Sequence, residues 1–182
     1  MKNKWIIIAV TLIALSGCET DPTLDTTPEL EIPLTEIAPI ETTSWGSLSA
    51  LNDEVYTTEE MLVYALQDEY SARSEYMVIM DTYDVTKPFS NIKESEETHI
   101  DLLLPLFGSY GIELIDDDSL KYLHQIESLE EAYEIGVIAE INNIAMYNAF
   151  LTQDLPSDLI DAFTKLRDAS ENHLAAFEKH VS

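Results

Sequence analysis

Between Thr57 and Phe177, apolar residues recur every three or four positions in four long segments, the spacing of amphipathic helices rather than strands. The first predicted helix runs from Thr57 or Thr58 to about Tyr83. A threonine cap opens it, and Glu59 and Glu60 follow at the positive end of its dipole. Its apolar stripe is Leu62, Ala65, Leu66, Ala72, Tyr76, Met80 and Tyr83, with Glu69 falling on it. After a short turn, Asp84 to Pro88, the second helix reaches about Tyr110 and stops before Gly111. Ile92, Leu103, Leu106 and Phe107 form its stripe, interrupted by Glu96 and His99, and Pro105 predicts a local kink. The third begins with Ser128-Leu129-Glu130-Glu131, a capping box, and continues to about Leu151. Glu140 and Asn143 interrupt its stripe of Tyr133, Gly136, Val137, Ile144, Tyr147 and Leu151. The fourth starts near Pro156, and Ser170 and His173 break a stripe of Leu159, Phe163, Leu166, Ala169 and Phe177.

Loop lengths turn these segments into a topology. The first and third connections are short, so each joins an antiparallel pair. The second, Gly111 to about Glu127, is long and carries a short helical piece around Ser119–Ile126. It has the reach to cover a helix of roughly 35 Å, at 1.5 Å per residue. Two hairpins joined by one long crossover predict an all-α, ferritin-like four-helix bundle.

The interruptions carry the chemistry. Residues three apart share one side of a helix, so Glu96 and His99 point together toward the bundle core. Burying a carboxylate and an imidazole is costly unless something compensates them, and a metal ion does so. Di-metal carboxylate bundles take a Glu from each of two helices and a Glu-x-x-His from each of the other two. Here Glu69, Glu96, His99, Glu140 and His173 supply five of those six ligands, and Ser170 stands where the sixth would be. Glu171 does not replace it, because two residues turn about 200° around a helix. The pattern predicts an asymmetric mono- or dinuclear site, with iron or manganese the expected metal and zinc an alternative, since carboxylates and imidazoles suit first-row ions. Glu69 and Glu140 would be terminal ligands, Glu96 a bridge, and the two histidines nitrogen ligands.

The chain also resembles a known family. The segments Asp68-Glu69-Tyr70-Ser71-Ala72-Arg73, Phe89-Ser90-Asn91-Ile92, Ser95-Glu96-Glu97-Thr98-His99 and Asn172-His173-Leu174-Ala175-Ala176-Phe177 are similar to the ferritin-like domain-of-unknown-function family 2202. The resemblance spans roughly residues 57–180 and implies a ferritin-like fold with metal binding, but no substrate. In the family pattern a second acid follows the Glu140 position. Ile141 stands there in this chain, which leaves Glu140 as the third helix's ligand.

Other readings compete residue by residue. Arg73, four positions after Glu69, would form a local ion pair with it. Glu96 and His99 would make a hydrogen-bonded pair, and Asn143 or a tyrosine hydroxyl would satisfy Glu140. Tyr76 and Tyr147 would be core or a second layer around the site. His124 and His180 read as surface residues. Together these readings describe the alternative function, a metal-free bundle serving as an envelope interaction or structural module, its polar cluster a buried network. A hydrolase is disfavoured, since no glycine-flanked nucleophile motif occurs.

The amino-terminal third adds location. Lys2 and Lys4 precede the apolar run Trp5 to Leu15, too short for the roughly 20 residues a membrane span needs. Leu15-Ser16-Gly17-Cys18 resembles the lipobox of bacterial lipoproteins, so residues 1–18 read as a signal peptide ending at a lipid-modified Cys18. Residues 19–50, with Pro22, Pro28, Pro33 and Pro39 among Thr and Glu, read as an acidic extended tether, on which Trp45 and Leu48 are candidates for docking. Residues 51–182 form the helical domain. Net charge is −26, and losing Lys2 and Lys4 leaves 35 acids against 7 bases, or −28. Such a surface repels nucleic acid and anionic headgroups alike, leaving the lipid as the membrane attachment. The expected protein is extracytoplasmic, lipid-anchored to a bacterial membrane and metal-binding, with oxidoreductase or Fe(II)-oxidase activity if the metal is redox-active. A homodimer is compatible with the sequence.

Overall fold

The computed structural model describes residues 45–181. The signal segment, Cys18 and the tether residues up to 44 lie outside them. Among the described residues there are five α-helices, one 3-10 turn and no strand. The short α1 (Ser47–Ala50) is followed by α2 (Thr58–Tyr83), α3 (Phe89–Tyr110), α4 (Leu129–Leu151) and α5 (Ser157–Phe177). None of them is long and apolar enough to cross a membrane.

The long helices begin and end where their caps dictate. Thr57 accepts a hydrogen bond from the Glu60 amide while the Glu60 carboxylate accepts from the Thr57 amide, a complete capping box. At α4 the Ser128 hydroxyl accepts from the Glu131 amide, but the Glu131 carboxylate reaches one residue further back, to the Glu127 amide. Gly111 closes α3 in the left-handed region, at φ 67°. Pro105 sits within the continuous α3.

Pairing follows the connections: α2 packs on α3, α4 on α5, and the pairs meet through α2 with α4 and α3 with α5. The arrangement is compatible with a four-helix bundle. Two apolar clusters fill it. Leu62, Leu66, Leu103, Phe107, Phe150 and Phe163 belong to one, and Tyr76, Ile79, Phe89, Ile92 and Phe177 to the other. Gly136 on α4 permits close packing at the second cluster, because a Cβ there would lie 3.0 Å from the Phe177 ring.

Two sequence expectations change. The crossover's regular structure is confined to a 3-10 turn at Ser119–Lys121 instead of extending to Ile126. Packed chain also includes Trp45, inside the segment read as tether to residue 50. The Trp45 indole donates to the Gln67 carbonyl (3.0 Å) and stacks on Tyr122, with ring centroids 4.3 Å apart. Gly46, at φ +60°, brings the strap so close that a Cβ would fall 2.6 Å from Asp68 Oδ1. Leu48, the other docking candidate, stays 47% exposed.

Candidate functional site

Each long helix brings its interrupting polar residues to one level between the apolar clusters, for the same reason. Glu69 follows Leu62, Ala65 and Leu66 on the buried face of α2, while Glu96 and His99 lie between Ile92 and Leu103 on α3. Glu140 and Asn143 fall between Gly136 and Tyr147 on α4, and Ser170 and His173 between Leu166 and Phe177 on α5. All seven are buried, at 7% exposure or less. The helical period thus carries these groups inward regardless of their polarity.

The five predicted ligands converge. His99 Nδ1 lies 2.7 Å from Glu96 Oε2 and 2.9 Å from Glu69 Oε2. His173 Nδ1 lies 3.1 Å from Glu96 Oε1 and 3.5 Å from Glu140 Oε1. Glu96 therefore divides its two oxygens between two triads, Glu69–Glu96–His99 and Glu96–Glu140–His173. Each triad offers ligand atoms within 4.8 Å of one another, so each could hold a metal ion.

Two tyrosines that the sequence left between core and second layer brace the outer carboxylates. The Tyr147 hydroxyl donates to Glu69 Oε1 (2.6 Å), and the Tyr76 hydroxyl donates to Glu140 Oε1 (3.0 Å). Each tyrosine stands seven residues after the glutamate of its own helix and bonds to the glutamate of the other. That shared Glu-x6-Tyr spacing is a signal of the crossed pairing that helix-by-helix reading passes over.

The sixth position is filled differently. Ser170 donates to Asn143 Oδ1 (2.9 Å), and the Asn143 amide donates to Asp68 Oδ2. Asp68 Oδ1 in turn accepts from the Ser47 amide (2.7 Å). A hydrogen-bonded chain of Ser170, Asn143 and Asp68, tied to the Ser47 amide, thus occupies the side where a second Glu-x-x-His would bring its glutamate. Arg73 does not pair with Glu69 as the local spacing suggested; it reaches Asp117 in the crossover. Glu140 takes a tyrosine hydroxyl rather than Asn143. His124 is exposed and pairs with Glu75 (3.2 Å), and His180 is exposed and stacks on Tyr133.

Electrostatics follow from enclosing three carboxylates and two imidazoles together. Burial lowers the pKa of both histidines, but Glu69 and Glu96 around His99, and Glu140 and Glu96 around His173, outweigh it and raise each to about 10. Burial and the neighbouring Glu96 raise Glu69 to about 7. Burial also raises Glu140. Glu96 resists its burial and is lowered, held by both imidazoles. Burial lifts Tyr76 and Tyr147 well above the ordinary tyrosine range, with the adjacent carboxylates adding to it.

The donor set fits a first-row ion. Donors at roughly 2.1 Å from a metal in octahedral or tetrahedral array stand about 3–3.4 Å from one another, close to the spacings here. His173 Nδ1 is buried with carboxylate oxygens at 3.1 and 3.5 Å but makes an aligned hydrogen bond to neither. The outer nitrogen of His99, Nε2, lies 3.1 Å from Ser95 Oγ, a contact that fixes the ring's orientation while Nδ1 faces the two carboxylates.

Comparison with known proteins places the chain. Residues 58–182 match the family model described as an uncharacterized protein domain (DUF2202), and the chain belongs to that family. It is 26% identical over 152 residues to the uncharacterized protein MJ0754 of Methanocaldococcus jannaschii, covering 74% of this chain and 82% of that one. The crystal structure of hypothetical protein MJ0754 from Methanococcus jannaschii DSM 2661 superposes with a TM-score of 0.61. That match has 24% identity over 70% of this chain and 82% of the other, a likeness of fold.

Proposed function

We propose that this DUF2202 member is a lipid-tethered, extracytoplasmic, ferritin-like protein whose buried Glu/His cluster binds one or two iron or manganese ions. The observation that carries the reading is the pair of buried triads sharing Glu96. Glu69, Glu96 and His99 would hold one ion and Glu96, Glu140 and His173 the other, with Glu96 common to both and the imidazoles offering Nδ1. Tyr147 and Tyr76 fix the outer carboxylates, and Ser95 orients His99. A bound redox-active ion would supply one-electron chemistry toward O₂ or peroxide, an oxidoreductase or Fe(II)-oxidase activity. The protein's own contribution is to exclude water from these groups and to release protons from the imidazoles as an ion enters. Attachment rests on the lipobox-like Leu15-Ser16-Gly17-Cys18, with residues 19–44 as the acidic spacer.

Elemental analysis of protein purified without chelator tests the metal. Iron or manganese in the wild type and its loss in Glu96→Ala are expected; a metal-free wild type whose melting ignores added metal and chelator overturns the reading. For the anchor, mass spectrometry of the mature amino terminus should find a diacylglyceryl Cys18, and Cys18→Ser should free the protein from membranes.

A second reading has its own observation. His99 already makes aligned bonds to Glu69 and Glu96, and the tyrosines satisfy the outer carboxylates, so most of the cluster is complete without an ion. In that case it is a buried network that specifies helix register, and the domain is an envelope interaction or structural module.

A further inference from the structure

The outward face of α4 departs from the rest of this acidic molecule. From Ile135 to Leu151, Glu140 is the one residue charged at neutral pH, and it is buried. The exposed positions Glu134, Ile138, Ile141, Ala145 and Asn148 are spaced four, three, four and three apart, the repeat of a helix–helix seam. Ile138 and Ile141 are 58% and 50% exposed. A helix that is apolar on its inner face and uncharged and apolar on its outer one is built to be covered on both.

We infer that this face docks against α4 of a second copy of the chain, antiparallel, across a two-fold axis at Ile141. Two features select this occupant. Chains of net charge −26 repel one another wherever acids meet, and this stripe lets two copies approach without apposing their carboxylates. The stripe is also complementary to itself when reversed. With Ile141 on the axis, Ile138 of one copy faces Ala145 of the other, large against small. Glu134 faces Asn148, a carboxylate against an amide donor. A parallel pair would set Glu134 against Glu134 and lose both matches.

Sedimentation velocity on the chain from residue 18 onward, with Cys18→Ser in place of the lipid-bearing cysteine, across a concentration series tests this. The wild type is expected to dimerise, more tightly as salt screens the repulsion. Ile141→Glu should weaken association by about 100-fold or more, because it desolvates unpaired charge at the axis, and leave unchanged the melting temperature measured at dilutions where both proteins are monomeric. Ile138→Glu, one turn away, provides an independent variant with the same expected result. In a Cys18→Ser background, oxidised Ile141→Cys should give covalent dimers and Glu134→Cys should not. A wild type monomeric at all concentrations, a dimer unaffected by both glutamate variants, or equal cross-linking at both cysteine positions would each overturn the inference.

Discussion

The α2–α3 and α4–α5 hairpins contribute unequally to the polar layer between them. Each gives one glutamate, one histidine and one bracing tyrosine, but α2–α3 adds Glu96 where α4–α5 has Ser170. The consequence spreads beyond one residue. His99 is gripped by two carboxylates at 2.7 and 2.9 Å, whereas His173 borrows the far oxygen of Glu96 and makes no aligned bond. Asn143 and Asp68 take up the space on the poorer side and satisfy each other there. A serine in place of one carboxylate in a near-symmetric layer thus leaves one half self-sufficient and the other dependent on it.

The comparison breaks most completely at Glu96. Glu96→Ala strands both imidazoles in the interior, and removing one partner of a buried ion pair costs about 3–5 kcal/mol. Chemical denaturation should register that loss, with metal content falling to background. A loss under 1 kcal/mol would mean that Glu96 does not join the halves.

Acidity comes next. Both histidines have folded pKa values raised above the unfolded one, so the stability they add is complete below about 6.5 and is lost as pH rises toward about 10. Glu69, raised to about 7, acts in the same direction between its unfolded value and neutrality. Metal-free protein should therefore lose about 3 kcal/mol per histidine from pH 6.5 to 9, seen as a falling melting temperature in calorimetry. Loaded protein should hold steady, since ligating imidazoles are already neutral. Metal-free melting that rises over this interval would refute the charge assignment.

Comparing the histidines directly sharpens the contrast. In metal-free protein His99→Gln and His173→Gln should each cost about 3–5 kcal/mol, His99→Gln the more because it breaks two aligned bonds, while metal affinity should fall in both. Equal metal-free costs in urea titrations would show that the halves are not unequal. The smallest expected effect separates the tyrosines. Tyr147→Phe, losing the shorter bond, should cost about 2 kcal/mol, and Tyr76→Phe about 1 kcal/mol; the reverse order would assign the tighter brace to Glu140.

Much of this layer was legible because helical periodicity is local. Stripe positions alone identified Glu69, Glu96, His99, Glu140 and His173, and caps such as Thr57 and Gly111 marked the helix ends. What escaped depends on neighbours distant in the chain. Arg73 had a correctly spaced acid in Glu69, yet a carboxylate 44 residues away, on Asp117, took it. Asn143 had Glu140 within a turn and bonded to Asp68 instead. Trp45 belonged by composition to a Pro-rich stretch, but an indole that finds both a carbonyl and the face of Tyr122 packs whatever its flanks suggest. The 3-10 turn fell short of the expected helix because tertiary contacts, rather than period, shape the crossover.

The crossed tyrosines have a mechanical consequence. Tyr147 on α4 holds a carboxylate of α2, and Tyr76 on α2 holds a carboxylate of α4. Sliding one helix past the other by a single turn, about 5.4 Å, would unseat both hydroxyls together. The two helices are latched in one axial position, with no intermediate stop that keeps half the latch. Neither hairpin alone can assemble the polar layer, and a chain that docks them out of step has no partial version of the site to fall back on.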